Sequence, residues 1–364
     1  MSSYDTSAMY NQTNQTGTWA NSDWIKYLEF REQLSLAKTI TIAFSAILTI
    51  LGNTLVLVAT WRDRSLHQPN KYFIACLAVA DLLVGMVVAP LNAYQHFKPA
   101  RTMSIHLCRF AVWADTFALT ASIYSLTFIS FDRYLKISKP LKYKSRMTTS
   151  TSLKVIFIIW LISTGISTYA ATPQSGSNGI LTTAFGFCTA DRNKRKAFYT
   201  FVEVSAFFLP TVVILAMYAL IFLVVRKRQK MLRNGELGQS CGVPNQRCAF
   251  LRDLKAIRML LVVVGVFILC WSPFFIFNVL HLYFPNIVDW RSRSLNYLCS
   301  ISITAAVITL LPLLNSLCNP IIYACLDNIY REAFKNLFQR LMCRTSSRTR
   351  PTPLGIELRP PRPR

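Results

Sequence analysis

Asp115 and Arg133 stand 18 residues apart in one long apolar stretch. In a helix that is about five turns and about 27 Å, so the two charges share one face at opposite ends. Asp81 and Glu203 lie in two other apolar stretches. A charge at the centre of a bilayer costs about 2.5–3.5 kcal/mol on insertion scales, so each of these four needs a partner or a task. A carboxylate in a partly dry pocket makes a strong charge-assisted hydrogen bond to an ammonium group. Asp115 is therefore a candidate cation acceptor, and no Lys, Arg or His at the same end of the other stretches is an obvious partner for it. Trp271, Phe274 and Phe275 supply an aromatic wall suited to a cation or a ring, with Asn278 and Thr309 as polar neighbours. Glu203 adds a second carboxylate, which suits a ligand with two positive or donor ends. A Glu203 that faces lipid headgroups, or pairs with Lys196 or Arg195, is the competing reading.

Long helices must hold these residues. Hydrophobic residues make up 52% of the 364 positions and charged residues only 15%, too apolar for a soluble surface of this size. Apolar stretches of about 20 residues, the length that crosses a hydrocarbon core of about 30 Å, run from Ala37 to Trp61, Tyr72 to Tyr94, Ile105 to Ile137, Leu153 to Ala171, Ala197 to Val225, Ile257 to Tyr283 and Leu298 to Leu326. The sequence predicts an all-α membrane protein, a seven-transmembrane-helix bundle. Residues 1–36 form an extracellular arm, 37–326 the bundle, and 327–364 an amphipathic eighth helix and a disordered, basic, proline-rich tail. Ile329, Phe334, Leu337, Phe338 and Leu341 recur at helical spacing among Arg331, Lys335 and Arg340, so the eighth helix lies along the inner membrane surface. Cys343 just beyond it is a candidate acylation site, with a free thiol the alternative.

The net charge of +24 does not make a nucleic-acid face, because the basic residues sit between and after the spans. Arg62, Arg64 and Lys71 follow span one; Lys139, Lys142, Lys144 and Arg146 follow span three; Arg226, Lys227, Arg228 and Lys230 follow span five. By the positive-inside rule these connections and the tail are cytoplasmic, which puts the N-terminus outside. Asn11 and Asn14 begin two glycosylation sequons on that side. The basic run Arg192, Lys194, Arg195 and Lys196 disobeys the rule and is outvoted. No apolar signal-peptide core precedes span one, so span one is expected to serve as its own insertion signal in a multi-pass plasma-membrane protein.

The residues resemble the rhodopsin-like (class A) G-protein-coupled receptors, closest in pattern to the biogenic amine, trace amine and histamine group. The resemblance rests on Gly52-Asn53 in span one, Leu77 to Asp81 in span two, Asp132-Arg133-Tyr134 closing span three and Trp160 in span four. It continues with Pro210 and Tyr218 in span five, Phe267 with Cys270-Trp271-Ser272-Pro273 in span six, and Asn319-Pro320 through Tyr323 in span seven. It implies a heterotrimeric G protein as partner, with arrestin and receptor kinases beside it. It implies a Cys108–Cys188 disulfide pinning a loop over the bundle mouth. Asp81, Ser122, Asn315, Ser316 and Asn319 are implied to gather a sodium ion in the resting state, a water-filled hydrogen-bond network being the alternative. Arg133 is implied to pair with Asp132 and with Asp253 until span six moves outward and Tyr218 and Tyr323 swing in. Ile123, Pro210 and Phe267 resemble the packing triad that couples ligand contact to this motion. Beside that, Pro210, Pro273 and Pro320 remove backbone hydrogen bonds and create hinges.

Other classes fit less well. Retinal needs a Schiff-base lysine in span seven, and none is present. A transporter or channel is expected to carry internal repeats, broken helices in matched halves or a polar pore stripe, and the sequence has none of these. His67, His96, His106 and His281 lie at span ends without ligand spacing, so an enzyme lacks a site. A class A receptor for a peptide is the serious rival. The serines that catecholamine receptors carry on span five are replaced by Val202 to Ala206, and Thr309, Leu310 and Leu313 stand where many amine receptors close an aromatic lid.

Overall fold

The computed structural model describes residues 21–97, 104–175, 177, 192–233, 243–284, 286–289, 292 and 294–346, and the side chains of most of them. Asn11, Asn14 and Cys188, and the side chains of Asp253 and Cys343, lie outside what is described. Among the described residues, seven helices are long and apolar enough to cross a membrane: span one Asp23–Arg62, span two Lys71–Tyr94, span three Ile105–Ser138, span four Thr149–Ala170, span five Lys196–Met231, span six Ile257–Tyr283 and span seven Leu295–Leu326. Helix eight, Asn328–Ser346, follows directly. Every regular element among the described residues is helical.

Local chemistry sets the ends. Ser104 accepts a hydrogen bond from the Leu107 N–H at 3.2 Å and caps span three, and Thr148 does the same for span four through Thr151. Pro140 comes directly after Lys139, the C-cap of span three, where a proline cannot continue the helix. Asp327 closes span seven and caps helix eight, accepting from the Ile329 N–H at 2.9 Å.

Span three is the hub, packed against spans two, four and five, while span one packs along span seven and span six on span seven's other side. The span one–seven contact needs a glycine. A Cβ on Gly52 would lie 2.9 Å from both Cβ and Cγ of Pro320, closer than carbon atoms approach.

Two spans contain a wider π-helical turn, Val84–Val88 in span two and Val204–Phe208 in span five. Pro90 and Pro210 follow them. Each proline lacks the N–H that Met86 O or Ala206 O would accept, and the turn absorbs the defect.

The first helix starts at Asn21, well before the expected Ala37. Residues 21–36 contain no Gly or Pro, and Trp24, Tyr27, Phe30 and Leu34 recur at helical spacing. Tyr27 is buried, and its hydroxyl meets Ser302 of span seven at 3.2 Å. A hydropathy scan misses this extension because Asp23, Lys26, Glu29, Arg31 and Glu32 dilute it.

Candidate functional site

Three polar groupings lie along the bundle axis. At one end, Asp115 on span three and Glu203 on span five are 1% and 3% exposed. Their spans pack against each other. Glu203 precedes the π turn, and its Oε1 makes no hydrogen bond. Among the described residues Glu203 has no ion pair. Lys196 instead points over the Tyr283 ring at 5.6 Å, and the Tyr283 hydroxyl meets Thr200 at 2.7 Å. The Lys196 version of the competing reading thus loses its partner. Lys38 of span one, half-buried, is a cation that the sequence pattern does not single out at this end.

Spans five and six share an aromatic cluster. Trp271 stacks on Phe275 with centroids 5.5 Å apart, and Phe274 meets Trp271 edge-on at 6.0 Å. Phe207 of span five stacks on Phe275 at 4.3 Å and reaches Phe267 at 6.2 Å. The motifs do not mark Phe207; its place one turn after Glu203 is the available signal. Asn278 is half-buried. Thr309 is too, but its hydroxyl hydrogen-bonds Ala305 O and Ala306 O of its own helix, at 2.9 and 3.0 Å. It can offer a ligand only an acceptor without breaking that bond. Cys108 is disulfide-bonded.

The middle grouping centres on Asp81, which is fully buried. Asn319 Nδ2 donates to Asp81 Oδ2 at 2.8 Å, and Ser316 of the same span is buried. Asn53 Nδ2 donates to Ser316 O at 3.1 Å and ties span one into the group. Asp81 Oδ1, Asn315 Oδ1 and Asn53 Oδ1 are buried oxygens with no hydrogen-bond partner among the described residues, and Ser122 on span three is buried too. Buried acceptors without donors fit a small hard cation.

At the far end, Arg133 and Asp132 form a buried ion pair at 3.5 Å, and the Tyr143 hydroxyl donates to Asp132 Oδ1 at 2.9 Å. Tyr143 lies in the short helix Pro140–Arg146, and no motif points to it. Tyr134 is half-buried, whereas Tyr218, Tyr323, Ile123, Phe267 and Pro210 are buried. Tyr323 stacks on Tyr330 of helix eight with centroids 5.6 Å apart. Burial pushes the Tyr330 phenol well above its ordinary range, so it stays a neutral donor.

The sequence matches the profile of the 7 transmembrane receptor (rhodopsin family) over residues 52–323, most of the chain. The chain belongs to the rhodopsin family of seven-transmembrane receptors. Among its relatives, trace amine-associated receptor 5 of Mus musculus is 30% identical over 303 residues, covering 82% of this chain and 83% of that one. Trace amine-associated receptor 7e of Rattus norvegicus is 30% identical over 310 residues, with 84% and 82% covered. The alpha-1A adrenergic receptor of Mus musculus is 28% identical over 340 residues, with 86% and 69% covered. A rhodopsin-family chain is a multi-pass membrane receptor and not an enzyme. Tyr143, Phe207 and Tyr330, which no motif marks, join the polar groupings only in three dimensions.

Proposed function

We propose that this receptor binds a small cationic ligand, of biogenic-amine type, from the extracellular side and activates a heterotrimeric G protein. The observation that carries the reading is a buried carboxylate, Asp115 on span three, with a second buried carboxylate, Glu203, on span five, which packs against span three and whose Phe207 stacks on the Trp271–Phe275 pair. Two acids suit a ligand with two cationic or donor ends, such as a diamine or a histamine-like imidazole. The relatives' names, trace amine-associated and adrenergic receptors, support an amine as the class. In this reading the N-terminus faces outward, with sequons at Asn11 and Asn14 and a Cys108–Cys188 disulfide over the mouth. The basic connections face the cytoplasm, where arrestin and receptor kinases also act and where Cys343 is available for acylation.

Asp81, Ser122, Asn315, Ser316 and Asn319 would hold a sodium ion; its charge would satisfy the unpaired oxygens and favour the resting bundle. Signalling then needs the Arg133–Asp132 pair to open, with Asp253 released, and Tyr218 and Tyr323 to turn inward as span six moves about Pro273. Ile123, Pro210 and Phe267 would transmit the ligand contact, with Phe207 bridging Phe275 and Phe267.

The test is a pair of substitutions read by G-protein activation in cells. Asp115→Asn removes the counter-charge for every amine and is expected to weaken potency about 100-fold or more. Glu203→Gln is expected to weaken diamines about 10-fold while sparing monoamines. Unchanged diamine potency in Glu203→Gln would remove the two-acid model, and unchanged amine potency in Asp115→Asn would remove the amine site itself.

A further inference from the structure

A charged cluster beneath Tyr323 has no role in the ligand or sodium groupings. Lys71 of span two is only 5% exposed, and its ammonium hydrogen-bonds and ion-pairs with Asp327 Oδ2. The other oxygen of Asp327 accepts the N–H groups of Ile329 and Tyr330 at 2.9 and 3.4 Å, so the same carboxylate starts helix eight. Lys71 Nζ also lies 4.7 Å from the centre of the Tyr330 ring, the ring on which Tyr323 stacks. The Tyr330 hydroxyl meets Thr60 of span one at 3.0 Å. Thr60 gives its single proton to Val56 O at 2.8 Å, so Tyr330 is the donor.

Spans one, two and seven and helix eight thus converge on one buried ion pair. A buried ammonium is tolerated only while its counter-charge stays in place. Asp327 is the carboxylate that pairs with Lys71 among the described residues, whereas Arg133 is held by Asp132. Lys71 of span two thus touches both the cap of helix eight, Asp327, and its first turn, Tyr330.

We infer that the Lys71–Asp327 pair is a clamp that keeps the Arg133 end of the bundle closed, by fixing the Tyr330 ring against which Tyr323 rests. Lys71 is a positioning residue: it acts on Tyr323 through Tyr330. Tyr323 can turn inward only by leaving that ring, and the ion pair holds the ring where Tyr323 needs it to stay closed. The signalling part of this inference rests on the proposed G-protein coupling; the clamp itself does not.

The test compares Lys71→Met, Asp327→Asn and the double variant in the full-length receptor. Asn at 327 keeps the helix cap and removes only the charge. Each single variant leaves one buried charge unpaired and is expected to lower the unfolding temperature, whereas the double variant, with neither charge, recovers most of it. The double variant is nonetheless expected to exchange its helix-eight amides about 10-fold faster and to show basal G-protein dissociation about threefold higher at matched surface level. Thermal loss alone would follow from any structural role; raised basal activity in a thermally restored variant would not. Wild-type exchange and basal activity in the double variant would overturn the clamp. If exchange rises but the wild-type receptor dissociates no G protein with any ligand, the clamp stands and the coupling fails.

Discussion

Asp81, at the residue scale, concentrates the strongest electrostatic demand in the middle of the bundle. Its Oδ2 is held by Asn319 while its Oδ1, with Asn315 Oδ1 and Asn53 Oδ1, has no donor among the described residues. A cation shared by these oxygens stabilises whichever arrangement keeps them together. If that is the resting arrangement, sodium and agonist oppose each other, since a ligand shifts an equilibrium only by its differential affinity for the two states. Replacing potassium with sodium in the buffer is therefore expected to weaken agonist binding about fivefold or more in the wild type, and Asp81→Asn to abolish the difference. Radioligand displacement measures it, and an equal sodium effect in Asp81→Asn would place the ion elsewhere. Glu203, whose Oε1 makes no hydrogen bond among the described residues, raises the same issue at the Asp115 end. Burying a carboxylate is tolerated where something compensates it, and the second cationic or donor end of an amine is the group proposed to do so.

At the element scale, close helix contacts depend on single small residues. Gly52→Ala would drive a methyl into Pro320, and spans one and seven would have to part. Overpacking of this kind costs about 1–3 kcal/mol, so the purified receptor in detergent is expected to melt several degrees earlier. An unchanged melting curve would mean that this contact is not tight in the native bundle. The spans themselves are legible in the sequence because a hydrocarbon slab admits only long apolar helices, and their order and type follow from length alone. Less legible is whatever depends on the third dimension. Residues 21–36 are helical through packing of Tyr27 on span seven, which no hydropathy scan detects. The π turns announce themselves only through Pro90 and Pro210. Lys71 reads as one of the positive flanks of span one, yet it is buried against Asp327, a partner 256 residues away. Charge sign is visible in a sequence; charge pairing across such a distance is not.

For the whole molecule, the three groupings form a line from Asp115 through Asp81 to Arg133, with span three supplying both ends. Phe207, Phe275, Trp271 and Phe267 link spans five and six by ring contacts of 4.3–6.3 Å. Tyr323 and helix eight bridge to the third grouping. Such a packed line lets a contact at one end bias an arrangement at the other, provided the line has two states. The motifs on the spans make this line readable in the sequence, because they name its charged and kinked positions. The aromatic bridge and the Lys71 clamp are not readable there, since they depend on which helix faces meet. The most direct test of the account is a panel of monoamines, diamines and peptides applied to cells that express this receptor, with cyclic AMP and calcium read together. The receptor is expected to respond to amines and to lose that response in Asp115→Asn; a response confined to peptides, or one to amines that Asp115→Asn leaves intact, would overturn the amine assignment.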